Sequence, residues 1–471
     1  MKEGRHRFRT AALRLLVPSS NRFYPYDLHL RKAKVLIIIG RWPEAEEALR
    51  SNWEAASEAG DHRVRDEAAL YLGELWRMRG DYAQAWRLFE GMEERLLACN
   101  DQKNLPRLYT NLAQACQSQN DYGQAMEYYR KQHDLSQAMG DRIQASNALS
   151  SMGSVHYERG EFGQAMKLYQ QSMALCEETG DLNSLGMVTC NIGNIYCRLG
   201  DYGRALESYH RKLDICHRLG QMRGMSVALG NIGAVHHLRG EYGQAIEFYR
   251  RKLDMSTSMG DKVGICYILG NLGNALMELG ETDRACDYFQ QYLDLSLALG
   301  DKLNLSRAYS NLAGIFEARD QSAVAGKYYD KAIGLAQEQS LGQELCEFLL
   351  FKARLLLHTA DIKGAATLNA RASETASKLD SPSASLLVRL QNAEILTHTD
   401  PQAAQHLLEA LSTENLDDAD RALTRYLLYK TTGREEDRLP ALDLYRDLCR
   451  RAPSVANLRR LSELERPPSV Q

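Results

Sequence analysis

The chain has 471 residues, 44% hydrophobic and 25% charged, with a formal net charge of -3. That balance is ordinary for a water-soluble protein and gives no electrostatic case for a nucleic-acid partner. A single compact core rarely grows to this length, so the chain is either several domains or an array of repeats.

Residues 1–23 are basic. Arg5, Arg7, Arg9 and Arg14 interleave with Leu13, Leu15 and Leu16, and Glu3 is the one acid before Asp27. The pattern reads as an N-terminal arm or capping helix, with an organellar transit peptide as the alternative. Val35 to Ile39 is the longest aliphatic run, far short of a bilayer span, so a cytoplasmic protein with no membrane partner is expected.

From there a forty-residue clock takes over. Gly80, Gly160, Gly200, Gly240 and Gly280 recur in step, and Gly60, Gly140, Gly180, Gly220, Gly260 and Gly300 mark the half-periods. Glycine closes a helix by accepting a left-handed backbone, and the Asp or Glu that follows (Asp61, Asp81, Asp141, Glu161, Asp181, Asp201, Glu241, Asp261, Glu281, Asp301) suits the next N-terminus. Each interval is thus predicted to be one helix and each period one hairpin. Proline is absent from Gln117 through Ser381, so nothing else forces a break.

Within each period, the second helix carries Ala at one place (Ala85, Ala125, Ala165, Ala205, Ala245, Ala285, Ala325) and an aromatic four residues on (Phe89, Tyr129, Tyr169, Tyr209, Tyr249, Phe289, Tyr329). The Ala permits close approach and the ring fills the groove one turn later. First helices carry a matching small residue after an aliphatic one: Leu72-Gly73, Ile192-Gly193, Ile232-Gly233, Leu272-Gly273, Leu312-Ala313. Glycine inside a helix costs about 1 kcal/mol relative to Ala, so its recurrence demands an offset, and close helix contact is the simplest one.

The phrase NIGNIYCRLGDYGRALESY, Asn191 to Tyr209, resembles the tetratricopeptide repeat. Eight regular units are read at 24–60, 61–100, 101–140, 141–180, 181–220, 221–260, 261–300 and 301–340. Pro382, Pro401, Pro440 and Pro453 then accompany degenerate hairpins over 341–465, with a short tail at 466–471. The forty-residue period is similar to that of Pins/LGN-type polarity adaptors, kinesin light chains and bacterial signalling proteins. The resemblance implies an all-α, right-handed α-solenoid, a superhelix of antiparallel hairpins whose first helices line a concave groove. The G-protein-binding motifs that follow the repeats of the polarity adaptors have no counterpart here.

Asparagines recur at one register of the first helices: Asn111, Asn191, Asn231, Asn271 and Asn311, with Asn194 and Asn274 three residues on. In the adaptors such residues hold the backbone of an extended peptide. A carboxamide offers both donors and an acceptor, so it pairs with a peptide backbone whatever side chains that peptide carries. Ser150, Cys190, Gly230, Gly270 and Ser310 precede the rungs and would leave space for a ligand as a groove floor. The competing reading is that the asparagines tie neighbouring repeats together.

Arg130-Lys131, Arg211-Lys212 and Arg250-Arg251-Lys252 on the second helices read as a solvated outer face, with a site for an acidic partner as the alternative, and His156 and His236 as packing residues. His210, Cys216 and His217 lack further ligands for a metal, and the four tryptophans (Trp42, Trp53, Trp76, Trp86) read as packing in the first two repeats. Ten scattered cysteines without a CxxC pair read as reduced and mostly buried. Phosphate-loop, dinucleotide, HExxH, calcium-loop and GxSxG patterns are missing, so neither cofactor nor catalysis is expected. The sequence therefore points to an adaptor that binds a protein partner as a peptide or helix, with self-association open. The alternative is the sensor or regulatory arm of a complex that controls a separate cyclase, kinase, NTPase or protease.

Overall fold

A computed structural model describes residues 25–38, 41–451 and 453–466. The basic segment 1–23 and the last five residues of the tail lie outside the described residues. The fold is an all-α solenoid, and within each of its two units every helix packs on its neighbours in sequence. Helices fall where the glycine clock places them, for example Arg142–Glu158 with Phe162–Thr179, and Lys262–Glu278 with Thr282–Leu299.

The turn glycines adopt left-handed backbone, as at Gly260 (φ 69°) and Gly300 (φ 67°). Where the clock lacks a glycine, other residues take the same conformation: Asn100, Asn120, Asp320, Ser340, Ala360 and Asp380. After the half-period turns, Asp61, Asp141, Asp181, Asp261 and Asp301 cap the first helices. Their carboxylates accept backbone N–H groups of the opening turn, as Asp261 does from Gly264 at 3.0 Å. The longer Glu161 and Glu241 make no such cap. Glu161 instead pairs with His156 at 2.5 Å and Glu241 with His236 at 2.6 Å, which explains why histidine recurs there.

The chain divides into two compact units, up to Asp201 and from Tyr202. The division falls at the turn between helices Leu182–Arg198 and Tyr202–Leu219. In the first unit, the second helix of the 61–100 repeat is not continuous. It breaks after Phe89, and Gly91 restarts the chain at φ 67°. Trp76 is buried there and donates its indole N–H to Glu46 at 3.0 Å.

Both units share one core scheme. The seven alanines of the second helices are wholly buried and each following ring is nearly so. Phe89, Tyr169, Tyr249 and Phe289 each lie against the glycine of their own first helix. A Cβ placed on Gly73, Gly153, Gly233 or Gly273 would stand 2.2–2.7 Å from the ring of Phe89, Tyr169, Tyr249 or Phe289. The interior glycines therefore exist to admit the rings. A buried aromatic removes some 150–250 Å² from water, so at about 25 cal/mol per Å² each contributes roughly 4–6 kcal/mol before entropy.

A second recurrent contact joins small polar groups inside the hairpins: Ser146 with Ser172 at 2.9 Å, Ser226 with Ser256 at 3.3 Å, Cys266 with Ser296 at 3.3 Å. All ten cysteines are free thiols, six of them buried. In the second unit the C-terminal segment returns to the middle of the array. The Ser454 hydroxyl meets the Glu278 carboxylate, and Val455 lies 3.3 Å from the Cβ position of Gly280.

Candidate functional site

The helix periodicity that buries Leu229, Ile232 and Val235 in one first helix leaves another stripe of that helix free. In Met222–Leu238 the stripe carries exposed Val227 and half-buried Asn231. In Lys262–Glu278 it carries Val263, Tyr267, Asn271 and Asn274 at successive turns; Tyr267 is 52% exposed and Asn274 is open to solvent. Lys302–Ala318 adds exposed Arg307 and half-buried Asn311. No hydrogen bond joins Asn271, Asn274 or Asn311 to another described residue. In the first unit, Ile143 and Met187 are exposed at the register of Val263 and Val227, and Asn191 and Asn194 are half-buried.

Asn111 stands apart. It is buried and donates to the Leu70 carbonyl at 3.2 Å, a tie from one first helix to the preceding one. The small residues before the rungs are also occupied from within. A Cβ on Gly230 would meet Lys252 Nζ at 2.7 Å, and one on Gly270 would meet the Tyr292 ring at 3.3 Å. Cys190 and Ser310 are buried and Ser150 is half-buried. At Gly230 and Gly270, then, the space left by the missing side chain holds the protein's own second helix.

Lys252 corrects the sequence reading of the basic residues. Arg130, Arg211, Arg250 and Arg251 are exposed, as a solvated face requires, but Lys212 and Lys252 are only 8% and 9% exposed. Lys252 follows the buried Tyr249 by three residues and so shares its inward side, a signal that the sequence held. Its ammonium stands 4.8 Å from the centre of the Tyr267 ring, at the seam between two first helices. No hydrogen bond or ion pair joins it to another described residue. Burial lowers its pKa, and the Asp261 carboxylate partly offsets that.

A cavity of about 650 Å³ lies on the other side of helix Met222–Leu238. Its floor is Met222, Met225 and Leu229, and its walls carry His217 and Met255. Met225 and Leu229 stand about half a turn around the helix from Val227, so the cavity and the asparagine stripe are separate surfaces. Among the described residues no group of three or more His, Cys, Asp or Glu side chains is placed to hold a metal ion, and no helix is long and apolar enough to cross a membrane.

Residues 104–178, 184–258 and 264–338 each match the family model of the tetratricopeptide repeat. No curated protein matches the chain. Among solved structures, the apo form of the quorum sensor NprR from B. thuringiensis is similar at 13% identity and a TM-score of 0.53, over 74% of this chain and 97% of that one. A Rap protein complexed with Competence and Sporulation Factor aligns at 14% identity and a TM-score of 0.51, over 76% and 98%. Aspartyl phosphate phosphatase F from Bacillus subtilis gives 15% and 0.51, over 76% and 96%. At these identities the likeness shows the fold.

Proposed function

Because the chain is a tetratricopeptide-repeat protein, we propose that it is a non-catalytic adaptor that holds a peptide or helix of a protein partner along the free face of its first helices. The observation that carries this reading is the stripe Val263, Tyr267, Asn271 and Asn274, where apolar surface and carboxamides without an internal partner share one exposed face. Asn191, Asn194, Asn231 and Asn311 extend the same register in the neighbouring repeats. Asn111 belongs to the scaffold on this reading, since its carboxamide is already engaged.

Four rungs at a net 0.5–1.5 kcal/mol each amount to roughly 2–6 kcal/mol, and millimolar binding alone corresponds to about 4. The asparagines set backbone register. Tighter affinity comes from the apolar residues and charges between them.

The test replaces Asn191, Asn231 and Asn271 by Ala and compares partner capture, by affinity purification and mass spectrometry, with thermal stability. Loss of a partner at unchanged stability supports the reading. Stability loss with the partner retained assigns the asparagines to the scaffold and removes the proposal.

A second reading makes the chain the receptor arm of a regulatory complex acting on a separate enzyme. It is favoured by likeness to a quorum sensor and to a Rap protein bound to Competence and Sporulation Factor. Co-purification of the chain with an effector enzyme whose activity changes on peptide addition distinguishes it from a passive adaptor.

A further inference from the structure

We propose that Lys252, and Lys212 one repeat earlier, are carboxylate-binding points: the partner segment is an acidic peptide whose Asp or Glu side chains reach these ammonium groups. The inference rests on the groove reading above and adds the chemistry of its ligand.

An ammonium with most of its stem buried normally ends on a carboxylate, because an unpaired buried charge is expensive. Lys252 is 9% exposed and meets no carboxylate within bonding distance among the described residues. What it meets is the face of Tyr267, whose ring attracts a cation but supplies no hydrogen-bond acceptor, so among the described residues the ammonium protons have none. Asp261 is the acid whose field it feels, and that carboxylate is committed to capping its own helix through Gly264.

The position is also built. Gly230 leaves room for the lysine head, since a Cβ there would stand 2.7 Å from Nζ. The same register of the next repeat holds Tyr292, which meets an internal acceptor, Asn304 Oδ1, at 2.7 Å. Tyrosine at this place is thus satisfied within the protein, whereas Lys252 is left to an outside acceptor. Lys212, 8% exposed and likewise without an ion pair among the described residues, holds the same register forty residues earlier, with Cys190 and Val227 at the places of Gly230 and Tyr267. The Tyr267 ring is 52% exposed, so the seam that holds the Lys252 ammonium borders the open face that carries Asn271 and Asn274.

Spacing adds a sequence rule for the ligand. Helices of adjacent repeats lie on the order of 10 Å apart, and an extended chain advances about 3.3 Å per residue. Two acids engaging successive lysines are therefore about three residues apart.

A phage-displayed random dodecapeptide library, selected on the full-length protein and on the variants Lys252→Met and Lys212→Met, tests this. Methionine keeps the apolar stem and removes the charge, and thermal melts of both variants check the fold. Peptides selected on the wild type are expected to be enriched in Asp and Glu at a spacing of three. A synthetic copy of the best one should bind Lys252→Met about 10- to 100-fold more weakly, as loss of a charge-assisted hydrogen bond entails. Selected peptides without acidic preference, or binding by both variants as tight as by the wild type, overturn the inference and leave the groove intact. Failure to select any peptide removes the groove reading as well. Binding that vanishes when the peptide C terminus is amidated assigns the site to a terminal carboxylate and refutes the side-chain version.

Discussion

Replacing Gly273 and Gly314 by Ala in two neighbouring first helices should move stability in opposite directions. Both glycines lie inside α-helices, where Ala is favoured by about 1 kcal/mol. At Gly314 nothing stands within 4 Å of the added Cβ, so the propensity gain is realised nearly in full. At Gly273 the Cβ would fall 2.3, 2.6 and 2.7 Å from three atoms of the Phe289 ring, where ordinary contact begins near 3.4 Å. That ring is 1% exposed and backed by the wholly buried Ala285, so it has no free direction of retreat. Overpacking of this kind costs about 1–3 kcal/mol, which offsets the propensity gain and leaves a net loss of up to about 2 kcal/mol. Native-state hydrogen exchange across residues 261–340 reads both changes locally, which suits a repeat array better than one global midpoint. Adding Phe289→Leu to Gly273→Ala should recover part of the loss, a coupling that a double-mutant cycle isolates. If Gly273→Ala proves as stabilising as Gly314→Ala, the ring-into-glycine account of the core is wrong.

Two further stability predictions follow from backbone and charge. Ala360 sits at φ 62°, a conformation that costs an L-residue about 1–2 kcal/mol, while glycine's chain entropy returns about 0.5–1. Ala360→Gly should therefore stabilise helices Gly342–His358 and Ile362–Leu379 by up to about 1.5 kcal/mol, seen as slower exchange there; faster exchange counts against it. Burial raises the Glu278 pKa above its ordinary value, and the Ser454 hydroxyl opposes the shift. A raised folded-state pKa means that this group's contribution to stability is fully present below about pH 4.5 and is lost as pH rises through the folded value. Glu278→Gln should accordingly melt higher than wild type at pH 7, with the gap closing toward pH 4.5. A gap independent of pH would show that desolvation of the carboxylate is not the cause.

What the sequence disclosed and what it withheld divide along one physical line. Local chemistry repeated at fixed spacing was readable: turn glycines, Asp caps, and the alanine, ring and glycine that form each hairpin's core all follow from the period. Departures from the repeat were harder. Gly91 breaks its helix where other repeats run through, and a glycine at that register gave the cue. The inward path of Lys252 was encoded by its distance from Tyr249, yet lysine's usual preference for water argued the other way. The contact of Ser454 with Glu278 had no cue at all, because a pairing 176 residues apart leaves no local pattern. The ladder asparagines share one register, but only coordinates separate Asn111, bonded to Leu70, from Asn271 and Asn274 on the open stripe.

That returning C-terminal segment alters how the second unit comes apart. In a chain of nearest-neighbour contacts the terminal hairpin can fray without consulting the rest. Here Ser454 and Val455 are moored to Glu278 and Gly280, so peeling the end away also uncovers a repeat far upstream. The tail thereby reaches the end of the helix that presents Tyr267, Asn271 and Asn274.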